Sequence, residues 1–301
     1  MNARLITYGR AFRILGAGWL SRTFCPTPNI RVTFTHGVGH ALLDNFRTSI
    51  QYLREVRTPL SPETFFAILD GRTRQDRNSF LVTFDDGLLS SYQAAREVLD
   101  PMGIKAVFFV PTRILNLTTE SDTRRFASEQ LHRDAGRAAT LTHEQCAVMT
   151  GDHLKDLDAR GHMVCPHTHN HVFLCDIRDH ETANTELIRP KSIVEDLLGR
   201  NVRAFAFPVG TERQAGAFAY SIIRSHYDFC FTALNGINTP RTVRHCLHRD
   251  CLPPDAPLEY VRLVFSGNYD AYYLLKMLRL KQRIAGRTYG DSGPIVQRKE
   301  K

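Results

Sequence analysis

Two short stretches of this sequence gather the side chains that metal-assisted hydrolysis needs. The first is Asp85-Asp86-Gly87, which follows Phe80-Leu81-Val82-Thr83-Phe84. Within a strand the two carboxylates would point to opposite faces. At a strand end, with a glycine to bend the chain, both can face one mouth. Carboxylates so close repel, and one pKa rises unless a cation lies between them. A metal ion would take one carboxylate and leave the other free as a base. The plainer alternative is a solvated turn that caps a helix, where Asp is favoured. The second stretch is Pro166-His167-Thr168-His169-Asn170-His171. His167 and His171 are four apart, so on one helical turn they share a face and can bind one ion. His167 with His169 is the other pairing, suited to a strand end, and Thr168 can hold the turn through local backbone bonds. A polar surface loop with incidental histidines is the bland alternative. Together, two His and one Asp make a three-ligand site with positions left for water and substrate. The second Asp is then placed to take a proton from that water.

The elements around these stretches alternate. Apolar runs predict strands over 31–35, 79–84, 104–110, 162–165, 202–207 and 229–232. Helical spacing appears over 44–56, from Ser61 with Pro62 in the first turn, and over 90–99, 142–160, 185–199, 214–225 and 271–284. Residues 116–140 are polar and read as an irregular insertion or loop. The unit from Phe80 to Val110 is strand–helix–strand, the mark of a parallel sheet with crossover helices. The chemistry-bearing residues fall where strands end, the rim that parallel α/β folds use for reactions.

A chain of 301 residues, with 43% apolar and 23% charged, has room for one large α/β domain. No apolar run approaches the ~20 residues of a membrane span. Arg4, Arg10 and Arg13 followed by Ile14–Leu20 read as a basic lead-in helix rather than an export signal. Seven scattered cysteines without a CxxC pair point to a reducing, cytoplasmic setting. The net charge of +8 would suit nucleic acid, anionic membrane or an acidic substrate, but no nucleic-acid motif is present, so nucleic acid is not expected as a partner. The positive excess lies near the two ends. Leu274, Leu275, Met277, Leu278 and Leu280 stand among Lys276, Arg279, Lys281 and Arg283, and Phe12, Leu15, Trp19 and Leu20 stand among arginines. Such basic amphipathic segments predict peripheral contact with an anionic membrane surface, against the alternative that both pack on the domain with solvated basic faces. The expected organisation is a basic N-terminal segment over 1–30, the main domain over 31–252, and a basic helix and tail over 253–301.

Thr83-Phe84-Asp85-Asp86-Gly87 resembles the first motif of the polysaccharide deacetylases, carbohydrate esterase family 4 with its NodB homology domain. His167-Thr168-His169-Asn170-His171 resembles the second. Thr35-His36-Gly37-Val38, the strand Gly103–Val110, Gly161-His162 and Phe205-Ala206-Phe207-Pro208-Val209-Gly210 resemble further family stretches in the family's order. The resemblance implies an α/β fold, a distorted (β/α) barrel of about seven parallel strands. It implies Asp85 as catalytic base and Asp86, His167 and His171 as ligands of one divalent metal ion, zinc by default. It places Pro208 and the Val209 N–H at the oxyanion and substrate side, with His36 near the mouth. It departs at Ala206, where many members carry an Arg that orients the base; Arg203 and Arg249 are the candidate substitutes. It departs again at Leu247-His248-Arg249-Asp250, where the family's acid-bearing Leu-x-x-His is not matched. His248 is taken as the general acid, with His245 the other candidate. The implied activity is removal of N-acetyl groups from amino sugars of a poly- or oligosaccharide, with a glycan as partner. The rivals are another amide hydrolase acting on a small or lipid-linked substrate, and a weak glycan-binding relic.

Overall fold

The computed structural model describes residues 28–133, 140–268 and 270–284. The N-terminal basic segment expected over 1–30 lies outside these residues up to Thr27, as does the tail beyond Ile284.

The central strand follows from its pattern. In β1 (Ile30–Thr35), Ile30, Val32 and Phe34 alternate with Arg31, Thr33 and Thr35, and all six are buried. The two sets take opposite faces, so both faces need cover. Helix α1 (Leu43–Val56) supplies one cover, burying Leu43, Phe46, Ile50 and Leu53 at helical spacing. After the short β2 (Thr58–Pro59), α2 (Pro62–Leu69) starts where the Ser61 side chain accepts from the Thr64 N–H, with Pro62 in the first turn. Then come β3 (Ser79–Phe84), α3 (Leu89–Ala94), β4 (Ala106–Val110), α4 (Glu120–Phe126), α5 (His143–Cys146), α6 (Gly151–Ala159) and β5 (Met163–Pro166). Helical turns from His180 lead into α7 (Arg189–Leu198), followed by β6 (Ala204–Ala206), α8 (Ala217–His226), β7 (Phe229–Phe231), β8 (Asp250–Cys251), α9 (Leu258–Phe265) and α10 (Asp270–Ile284).

The strands form an α/β architecture with a central sheet in the order β5-β4-β3-β1-β8, β2 adding beside the start of β3. Its pairings are parallel throughout. β6 and β7 make a second parallel pair, and a parallel bridge from Phe231 to Leu247 leads from it toward β8. One apolar core runs from Ile30 to Leu280 and takes in Val261, Val264 and Leu280 of the two last helices. Residues 253–284 are therefore packed on the main domain.

Several expectations change. Residues 120–131 are not irregular: α4 continues as a wide helical turn over Ala127–Leu131. The helix expected over 142–160 is two, because the chain extends at Ala147 and Thr150 opens a new capping box with His153. β2 and β8 are two-residue strands with no periodicity to read. Pro257 takes the N-cap position of α9.

Candidate active site

β3 delivers the two carboxylates. The Asp85 N–H donates to Thr35 O at 2.9 Å, one last ladder bond. Asp86 then takes a left-handed conformation (φ 73°) and Gly87 another (φ 69°). At this φ any side chain on Gly87 would be strained, and its Cβ would lie 2.6 Å from Ile114 Cδ1, which would have to shift. The bend lets both carboxylates face inward, and both are buried. Five non-glycine residues have positive φ among the described residues: Asp86, Arg133, Thr168, His171 and Val209. Four lie in the two histidine–aspartate motifs and the loop after β6. The fifth, Arg133, donates from Nη2 to His171 O at 2.7 Å. Each such residue costs roughly 1–3 kcal/mol, which a fold tolerates where a site demands it.

β5 delivers the imidazoles. Its ladder runs on as the His167 N–H donates to Val110 O at 2.9 Å. His167 Nδ1 donates to Ala206 O at 2.6 Å, and His171 Nδ1 donates to Gln130 O at 2.8 Å. A carbonyl can only accept, so each Nδ1 carries the hydrogen and each neutral ring turns an Nε2 lone pair toward the centre. There His171 Nε2 stands 3.2 Å and His167 Nε2 3.8 Å from Asp86 Oδ1. That oxygen is buried and has no hydrogen-bond partner. Three electron-pair donors thus face one another, all within 4.8 Å. They fit a divalent cation, and the backbone carbonyls behind the rings are the supports that metal-bound histidines use. Burial pushes His167 down to about 4, which keeps it neutral.

The pairing of His167 with His169 is not made. His169 Nδ1 lies 2.8 Å from Thr112 Oγ1. Its N–H and that of Asn170 donate to Glu186 Oε2 at 3.1 and 2.9 Å, and Asn170 Nδ2 donates to Glu186 Oε1 at 2.5 Å. Glu186 is buried and shapes the loop that carries both ligands. No local pattern marked it, because it lies within an ordinary helical stretch.

Asp85 has a different environment. Arg249 donates from Nη1 and Nη2 to its two oxygens at 2.7 and 2.9 Å. Arg249 is itself fixed by donating from Nε to Thr232 O at 2.7 Å and from Nη1 to Thr83 Oγ1 at 3.2 Å. Its guanidinium lies between the rings of Phe34 and Phe109, 4.9 and 5.3 Å from their centroids. Burial would raise the Asp85 carboxyl, but the paired Arg249 guanidinium holds it low. Arg203, the other candidate, pairs with Asp70 at 3.0 Å and with Asp228 at 2.5 Å and has no part in the site. The arginine missing at Ala206 is thus matched by one from the segment leading into β8.

His248 does not join the site. In an extended segment alternate side chains take opposite faces, so where Arg249 reaches Asp85, His248 turns away. The charged groups acting on it are Lys281 and Arg31, and burial is what pushes it down to about 4. His245 Nε2 donates to Tyr227 O at 2.8 Å instead. His36 stands at the mouth, its Nε2 3.9 Å from Asp86 Oδ2 and its side chain 54% exposed. Pro208 and Val209 follow β6, whose Ala206 carbonyl holds His167. Val209 is half-exposed at φ 62°, and Gly210 packs so tightly on Ala233 that a Cβ would fall 2.5 Å from the Ala233 nitrogen.

The model of the polysaccharide deacetylase family matches residues 72–219. No curated protein matches the chain by sequence. Among solved structures, IcaB from Ammonifex degensii is similar at 22% identity and TM-score 0.63, over 80% of this chain and 97% of that one. The Streptococcus pyogenes deacetylase PplD, solved with acetate, is similar at 19% identity and TM-score 0.60, over 78% of this chain and 97% of that one. BC0361, a polysaccharide deacetylase from Bacillus cereus, is similar at 17% identity and TM-score 0.59, over 79% of this chain and 69% of that one. At these identities the likeness establishes the fold, and it agrees with the α/β architecture described above.

Proposed function

We propose, from the premise that residues 72–219 belong to the polysaccharide deacetylase family, that this chain is a metal-dependent hydrolase removing N-acetyl groups from amino sugars of a poly- or oligosaccharide. The observation that carries the reading is the division of labour between neighbours. Asp86 faces two imidazole lone pairs with an unpartnered oxygen, while Asp85 is held ionised and aimed by Arg249.

Asp86, His167 and His171 would hold the cation, and their donor set suits zinc. When bound, it supplies Lewis-acid polarisation of the amide carbonyl and lowers the pKa of water. Asp85 accepts the proton of the attacking water. Arg249, which offers only donors, keeps that carboxylate oriented. The Val209 N–H, on its left-handed turn after β6, would help hold the oxyanion. With His248 turned away, the half-exposed His36 at the mouth is the group placed to protonate the leaving amine. The family Arg absent at Ala206 favours a catalytically weak relic, and the Arg249–Asp85 pair supports activity instead.

The test is acetate release from N-acetylglucosamine oligomers by zinc-loaded protein, with a chelated control and small cyclic and formyl amides in parallel. Release from the oligomers that chelation abolishes supports the proposal. Turnover of the small amides alone would move the substrate class, and no turnover with any divalent metal would leave the glycan-binding relic.

A further inference from the structure

We propose that the outer face of α10 (Asp270–Ile284) docks on an anionic lipid bilayer. The helix is apolar on two sides. Its inner side places Tyr273, Met277, Leu280 and Ile284 against the core, with Leu280 fully buried. Its outer side leaves Leu274, Leu275 and Leu278 at 54%, 65% and 49% exposure, next to a half-exposed Tyr272. A helix apolar on both sides calls for a partner on the side the fold leaves open. Both ends of the helix are tied to the domain. Arg31 donates to Asp270 from Nη1 and Nη2 at 2.8 and 2.6 Å, which fastens the first turn. Arg283 donates to Arg213 O at 3.2 Å, which fastens the last turn beside the loop that follows β6.

Charge selects the partner. The helix carries Lys276, Arg279, Lys281 and Arg283, and its one acidic residue, Asp270, is bound to Arg31. A second copy would set these four cations against four more. Residues 1–27 of the same chain carry four arginines and no acidic residue, so they too repel the face. A nucleic acid would satisfy the cations and leave the leucines in water. An anionic bilayer answers both features: leucines enter the acyl boundary while lysines and arginines meet the headgroups. No helix among the described residues is long and apolar enough to cross a membrane, so the contact is peripheral.

Co-sedimentation of the full chain with phosphatidylglycerol-containing vesicles tests this, beside pure phosphatidylcholine vesicles. The expected result is binding to the anionic vesicles only, weakened by added salt. L274Q/L275Q/L278Q lowers that binding by about tenfold or more with an unchanged melting temperature, and K276E/R279E does the same without touching the leucines. Binding by both variants at the parent's level would overturn the proposal and assign lipid contact to the N-terminal segment. Absence of binding to anionic vesicles, or a dimer that the triple variant dissolves, would overturn it as well.

Discussion

Two buried arginine–aspartate networks sit on opposite faces of the same extended segment, and they do different things. At the mouth, Arg249 grips Asp85 through both guanidinium nitrogens. One residue on, Asp250 turns to the other face and meets Arg31, which also binds Asp270. Both arginines are almost wholly buried. At the mouth the single carboxylate is held low. At the back, burial first, with Asp270 adding to it, outweighs the pull of Arg31 and pushes Asp250 up to about 7. The mouth has four of the five positive-φ non-glycine residues described, and an unpartnered carboxylate oxygen facing two imidazole lone pairs. The back network ties a terminal helix to the first strand. A buried ion pair or a shifted pKa is therefore not enough to mark a site. Strain together with convergent, proton-free donors is.

The contrast can be broken or sharpened in four ways. Removing a metal ligand at the mouth comes first: His171→Ala should lose bound metal and on the order of a thousandfold in rate, measured by metal content and acetate release. Next is Arg249→Met, which strands Asp85. It should lower kcat by about a hundredfold while metal stays bound. Denaturant unfolding should show a loss of about 3–5 kcal/mol, the usual cost of breaking a buried pair. At the back, Asp270→Ala should cost about 2–3 kcal/mol by the same measurement, from its charged hydrogen bonds, and leave kcat within about twofold. The smallest effect on turnover belongs to His248→Gln, with kcat at neutral pH unchanged within about twofold. Its effect is on acid stability. Burial holds folded His248 at about 4, below its ordinary 6.5. The neutral ring's contribution, of the order of 3 kcal/mol, is full above pH ~6.5 and lost as pH falls toward 4. His248→Gln should flatten that acid limb in a melting-temperature series. A kcat loss of a hundredfold would instead return His248 to the site.

Much of the mouth could be read in the sequence, because its residues are local. Asp85-Asp86-Gly87 and His167 to His171 each fit within five positions, directly after strands whose apolar runs are unmistakable. What could not be read depends on contacts between distant segments. Gln130 supports His171 from a stretch that looks irregular, since its wide helical turn breaks the usual spacing. Glu186 shapes the histidine loop from another wide helical turn, Asn184–Ile188, inside a stretch whose spacing reads as ordinary helix. His248 and Arg249 were both candidates, and the two-residue β8 offers too little pattern to say which faces inward. The structure fixes that parity through Asp250, whose pairing with Thr33 sets the register.

Separate duties for the neighbouring carboxylates can be read from metal stoichiometry and acetate release on Asp85→Asn beside Asp86→Asn. Asp85→Asn should keep one metal ion per chain and release no acetate, while Asp86→Asn should lose the metal. Equal loss of metal from both variants, or acetate release by Asp85→Asn near the parent's rate, would contradict that separation.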